Sequence, residues 1–166
     1  MKLFNPSLAG LLLIAGLASP LYISAASPVA KPKQAVRYLL LAENSDGGGN
    51  ECKIEITKTE SIDFNPQPPG CENDEMSYYK LDNVQSATRI LFRDDPCGDD
   101  HVQSWEFQIY TYIQPVSSNW LPIEDLRGRA EGDIVSRGIR MRWSNDNGGQ
   151  IRGKLSCVRI TVSDPG

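Results

Sequence analysis

Histidine is almost missing from this chain: His101 is the only imidazole in 166 residues. A serine–histidine–aspartate triad would have to be built on it, and no G-x-S-x-G element marks a nucleophile to partner it. Asp99 and Asp100 stand beside His101 and could orient its ring, but without a nucleophile the residue reads as part of a surface loop. C-x-x-C pairs are missing as well, and with one histidine this argues against a structural zinc site. No EF-hand spacing occurs, and Gly47-Gly48-Gly49 lacks the strand and helix that flank a phosphate-binding loop. Nothing singles out one carboxylate pair for glycoside hydrolysis. Positive charge is in deficit, with 17 Lys and Arg against 21 Asp and Glu and a net charge of −4, which argues against nucleic acid as a partner. Helical periodicity is missing from every stretch longer than about ten residues beyond the N-terminus. No second long apolar run follows the first, so no membrane-spanning helix is expected after it.

What is present begins with a leader. Met1-Lys2 gives a positive start, Leu8 to Leu17 carries no charge, Pro20 breaks the helix, and Ser24-Ala25-Ala26 supplies small residues for cleavage. Residues 1–26 therefore read as a signal peptide, and the mature protein as secreted or periplasmic. No cysteine lies near the cleavage point, so a lipid anchor there is not expected. Residues 27–35, with two prolines, read as a flexible N-terminal segment, and residues 36–166 as a single β domain.

An even cysteine count in an exported chain points to two disulfides. Cys52, Cys71, Cys97 and Cys157 allow three connectivities. The favoured one joins Cys52 to Cys71, closing a Pro-rich loop, and Cys97 to Cys157.

The remaining periods are those of strands. Arg37–Leu41 is a short apolar run ending at the Asp46–Asn50 turn; Lys53–Thr57 alternates, with Ile54 and Ile56 on one face. Asn65–Gly70 is a proline-rich loop, and Tyr78–Leu81 a short strand. In Thr88–Arg93, Thr88, Ile90 and Phe92 share one face. Trp105–Ile113 is the clearest strand: Trp105, Phe107, Ile109 and Ile113 face one way, and Glu106, Gln108, Tyr110 and Tyr112 the other. Trp120–Leu126 reads either as strand or as one helical turn. Ile139, Met141 and Trp143 alternate with Arg140 and Arg142, and Asn145–Gly149 has hairpin-turn composition. Ile151–Val162 reads as a long last strand whose apolar phase slips between Cys157 and Val158, which suggests a bulge. Eight or so short strands make an all-β fold, an antiparallel Greek-key sandwich or barrel with two disulfides.

Ser86–Asp94 and Ser156–Asp164 share the form S-x-x-R-I-x-x-x-D. The stretch Asp82-Asn83-Val84-Gln85-Ser86-Ala87, which leads into the first of them, resembles the N/D-N/D-x-x-S/T-S element of βγ-crystallins of microbial type. The resemblance implies paired Greek-key motifs and calcium held between loops, with Asp82, Asn83 and Ser86 as ligands. Ala87 stands where the family's element ends in Ser, and the second copy is preceded by Arg152-Gly153-Lys154-Leu155, without the acidic or amide pair. Calcium would be the cofactor on this reading, as a hard cation taking oxygen ligands in a calcium-rich compartment.

Arg89, Arg93, Arg140, Arg142 and Arg159 all fall on the non-core positions of strands, as do Tyr110 and Tyr112. If those strands are neighbours, they form an arginine stripe with tyrosine anchors that suits an acidic protein, a polysaccharide or a lipid headgroup. Three functions follow: a non-enzymatic crystallin-like module stabilised by calcium, a secreted binding or inhibitor protein using the Arg/Tyr face, and a small secreted hydrolase or toxin whose site the fold assembles.

Overall fold

Short alternating runs between Gly, Pro and Asn clusters become short strands, because side chains of period two can be buried on one face and solvated on the other. The computed structural model describes residues 35–66, 68, 70–98 and 104–163. The expected leader and most of the flexible segment, along with His101, lie outside the described residues.

The strands are β1 (Tyr38–Ala42), β2 (Glu51–Glu55), β3 (Glu60–Asp63), β4 (Tyr78–Asp82), β5 (Arg89–Arg93), β6 (Trp105–Thr111), β7 (Leu121–Pro122), β8 (Ile134–Ser136), β9 (Ile139–Asp146) and β10 (Cys157–Thr161). A single 3-10 turn, Ile123–Leu126, follows β7. Two antiparallel sheets result: a four-stranded one in the order β2-β1-β4-β7 and a six-stranded one in the order β3-β10-β5-β6-β9-β8. β1 and β2 form a hairpin across the glycine turn. There Gly47 packs under the Trp120 indole at φ +88°, leaving no room for a Cβ.

The sheets meet through their apolar faces. Leu39, Leu41, Tyr79 and Leu81 come from the small sheet; Ile90, Phe92, Phe107, Ile109, Met141 and Ile160 come from the large one, all fully buried. Tyr79 touches Phe92 across the interface, with ring centroids 4.9 Å apart. Each such side chain contributes about 1.5–3 kcal/mol through removal from water. The two disulfides are Cys52–Cys71 and Cys97–Cys157, the favoured pairing.

The two halves of the sequence echo lie side by side. β5 and β10 pair antiparallel, and the equivalent residues Ile90 and Ile160 stand directly opposite each other.

Three details of the strand reading change. The long last strand is shorter: residues 151–156 are turn and irregular chain, and the strand starts at Cys157. Its register with β3 and β5 is continuous, so no bulge lies between Cys157 and Val158. Both are buried because Val158 faces the core while Cys157, on the outer face, is covered by its bond to Cys97. The irregularity sits in β9 instead: Gln108 pairs with Trp143 and Ile109 with Met141, so Arg142 is the extra residue. Trp143 is thereby turned from the expected core face to the outside, and is 42% exposed. Asn145–Gly149 is no hairpin between neighbouring strands, since β9 runs to Asp146 and pairs with β6 and β8 rather than with β10.

Candidate binding face

The arginines of the sequence reading come together on the outer face of the six-stranded sheet. The ladder pairs Thr161 with Arg89, Arg89 with Tyr110, Tyr110 with Arg140, and Arg140 with Ile134, one row across β10, β5, β6, β9 and β8. Directly opposite residues in such a row have Cβ atoms about 4.5–5.5 Å apart, so Tyr110 lies between two arginines. The next row holds Arg159, Leu91, Gln108 and Trp143. The third holds Cys157, Arg93, Glu106 and Asn145.

These residues play different parts. The Arg140 guanidinium lies 4.7 Å from the centre of the Tyr112 ring, a cation–π contact that orients both. Tyr112 itself stands one residue past the end of β6 and is exposed. Arg159 donates to Ser61 Oγ at 3.1 Å and to the Cys97 carbonyl at 3.1 Å, which fixes its side chain along the disulfide strap. Arg93 differs from the expectation of a surface ligand. It is buried and lies 3.9 Å from Asp95, also buried, so it belongs to the structure beneath the strap rather than to the open face. Glu106, beside Arg93, is half-buried. Burial raises its carboxyl above the usual range, while the charges of Arg93 and Arg159 pull it back down.

Arg89 and Arg142 line an open pocket of about 360 Å³ with Ala87, Tyr110, Glu131 and Gly132. The bulge is what brings Arg142 to this rim. The same bulge exposes Trp143, and Ile134 at the sheet edge is 59% exposed. Sequence reasoning missed both as surface residues: Trp143 because strict alternation assigns it to the core, and Ile134 because the three-residue β8 is too short to show a period.

Asp82 is the last residue of β4, paired with Tyr38, and Asn83 and Ser86 stand in the loop that carries the chain on to β5 in the other sheet. The polar groups of Asn83 and Ser86 are directed to separate neighbours. Asn83 takes a left-handed backbone at φ +57°, donates from its side-chain amide to the Val36 carbonyl at 3.0 Å, and donates its backbone N–H to Ser117 Oγ at 2.9 Å. Ser86 Oγ bonds Gln114 Oε1 at 3.2 Å. Val84 and Val116 exchange two backbone hydrogen bonds of 2.8 Å, and the loop is latched at its middle. Among the described residues no group of three or more His, Cys, Asp or Glu side chains gathers as a metal site.

A second pocket, of about 390 Å³, lies elsewhere, lined by Glu43, Asp74, Glu75, Ser77, Tyr78 and Arg152 among others. It is slightly larger, but its groups largely satisfy one another. Arg152 donates to Tyr78 Oη at 3.2 Å and lies 3.8 Å from Glu124. Asn50 donates to both Glu72 and Glu75, and the hydrogen-bonded Glu72 carboxyl holds Glu75 above the ordinary range. The arginine face, with cationic and aromatic side chains directed outward, is the better candidate for recognition. Among the described residues no helix is long and apolar enough to cross a membrane. Comparison with family models, with curated proteins and with solved structures finds no match for this chain.

Proposed function

We propose that this chain is an exported, non-enzymatic β-sandwich that binds an acidic macromolecule on the outer face of its six-stranded sheet. The observation that carries the reading is the row Arg89–Tyr110–Arg140 with Arg142, Trp143 and Tyr112 around it. Arginine, tyrosine and tryptophan are the residues that dominate binding energy at protein surfaces. They combine large contact area with directional donors, and the two-torsion tyrosine and tryptophan lose little conformational entropy on docking. Clustered positive charge on a chain of net charge −4 gives the molecule a local cationic field that selects an acidic partner. The leader sequence and the two disulfides support an oxidising, extracytoplasmic setting.

The test is retention on immobilised polyanions, with neutral dextran as the blank. At low salt, about 0.01 M, the screening length is about 30 Å and the protein should be retained; at about 1 M it falls to about 3 Å and the protein should elute. Arg89→Ala combined with Arg142→Ala should lose retention while melting as the parent does. Equal retention of parent and double variant would remove the face from the account.

A further inference from the structure

Arg142 at the pocket rim is ion-paired with Glu131 of the same chain. Glu131 stands in the segment that leads from the 3-10 turn into β8. Gly128 at φ +74° and Gly132 at φ +90° let that segment double back, bringing Glu131 over the sheet. The base of the segment is fixed. Arg129 Nε donates to the Asp125 carbonyl at 2.6 Å, Ala130 N–H donates to Asp133 Oδ2 at 2.8 Å, and Gly132 N–H donates to the Met141 carbonyl at 2.9 Å. The glutamate side chain itself is not fixed in this way. It is 64% exposed, and its partner Arg142 is 44% exposed, so an exposed ion pair holds it at the pocket. Arg89, on the other wall, has no ion-pair partner among the described residues.

We infer that Glu131 is an internal stand-in for a glutamate of an acidic protein segment, which displaces it from Arg142 and binds between Arg142 and Arg89. This rests on the reading of the face as a binding surface. The seat already accepts a carboxylate presented by a peptide backbone, and the incoming one meets two guanidiniums where Glu131 meets one. Displaced Glu131 turns into water from a site where it was already largely solvated, so its release costs little. The exposed apolar flanks, Trp143 and Ile134, provide contact area for the neighbours of the incoming glutamate, which favours a protein segment over a uniformly hydrophilic acidic polysaccharide.

The experiment measures affinity of the full mature chain at low salt for polyglutamate, for a glutamate–leucine copolymer and for a polyuronate of the copolymer's charge density. The variants are Glu131→Gln, Arg142→Ala and the double variant, each checked by its melting curve. Removing the competing carboxylate should tighten polyglutamate binding about two- to fivefold, the range set by an exposed ion pair. That gain should vanish in the Arg142→Ala background, because the competition acts through Arg142. A gain that persists there would reduce Glu131 to a distant negative charge and overturn the stand-in. Unchanged or weaker binding of Glu131→Gln beside normal binding of the parent would overturn it too, leaving the binding face intact. Tighter binding of the polyuronate than of the glutamate–leucine copolymer of the same charge density, whose leucines supply the apolar neighbours, would overturn the protein-segment assignment. Failure of parent and Glu131→Gln alike to bind polyglutamate would take down the binding face with it.

Discussion

Tyr79→Phe should make the protein more stable, against the usual direction of core substitutions. Tyr79 is on β4, fully buried, with its ring against Phe92. Its hydroxyl has no hydrogen-bond partner among the described residues. A buried hydroxyl that loses water without gaining a partner costs about 1–3 kcal/mol, and phenylalanine keeps the ring contact while removing that cost. The expected gain at neutral pH is about 1–2 kcal/mol by urea unfolding, or a melting temperature higher by about 3–8 °C. A second readout comes from alkali. Burial pushes the Tyr79 hydroxyl well above the ordinary tyrosine value of about 10, with Arg129 lowering it and Asp125 raising it by smaller amounts. In the unfolded chain Tyr79 ionises near pH 10, whereas in the folded chain it stays protonated. The unfolded state therefore binds fewer protons above pH 10, and stability falls by about 1.4 kcal/mol per pH unit until the folded value is reached. Below pH 10 the group contributes no slope. The difference in unfolding free energy between Tyr79→Phe and parent should thus be flat to pH 10 and widen above it. A variant less stable than the parent at pH 7, or a difference that stays flat in alkali, would refute the reasoning.

Three further outcomes are expected. Removal of Cys97–Cys157 as an Ala pair should cost about 4 kcal/mol and removal of Cys52–Cys71 about 3, because chain separations of 60 and 19 residues constrain the unfolded state unequally. Urea unfolding gives the order, and a reversed order would contradict the loop-closure argument. Trp143→Ala should lower stability by less than about 1 kcal/mol and Trp105→Ala by about 3–5, since the first is on the surface and the second is fully buried with its Nε1–H bonded to the Gln150 carbonyl at 3.0 Å. Comparable costs would contradict the bulge at Arg142. Asn83 and Ser86, two of the three expected calcium ligands, are held by the protein's own hydrogen bonds, so the melting temperature should be the same in chelator and in millimolar calcium. A rise of a few degrees that Asp82→Ala abolishes would restore the calcium role implied by the crystallin resemblance.

The strands that were legible in the sequence are those whose alternation reports burial on one face, above all Trp105–Thr111 and Arg89–Arg93. Of the three cysteine connectivities the sequence allows, the one favoured for closing the Pro-rich loop is the one that forms. Alternation misled where a second influence buried or exposed a residue. Cys157 is buried on the outer face by a covalent bond made to a distant residue, so the last strand seemed to slip phase. Trp143 is exposed because one extra residue in β9 reverses its side, and a bulge depends on pairing with β6 that no local pattern records. The arginines at 89, 140 and 142 are legible as surface residues, but the convergence of Arg89 and Arg142 on one pocket depends on strand order, and Glu131 joins the site only through tertiary structure.

The most direct test of the binding face is chemical-shift mapping of the isotope-labelled mature chain titrated with polyglutamate at low salt. The account predicts saturable shifts at Arg89, Tyr110, Glu131, Arg142 and Trp143, including the Trp143 indole N–H, and an undisturbed Trp105 indole. Shifts confined to the Glu43, Glu75 and Arg152 pocket, or no saturable shifts at all, would contradict it.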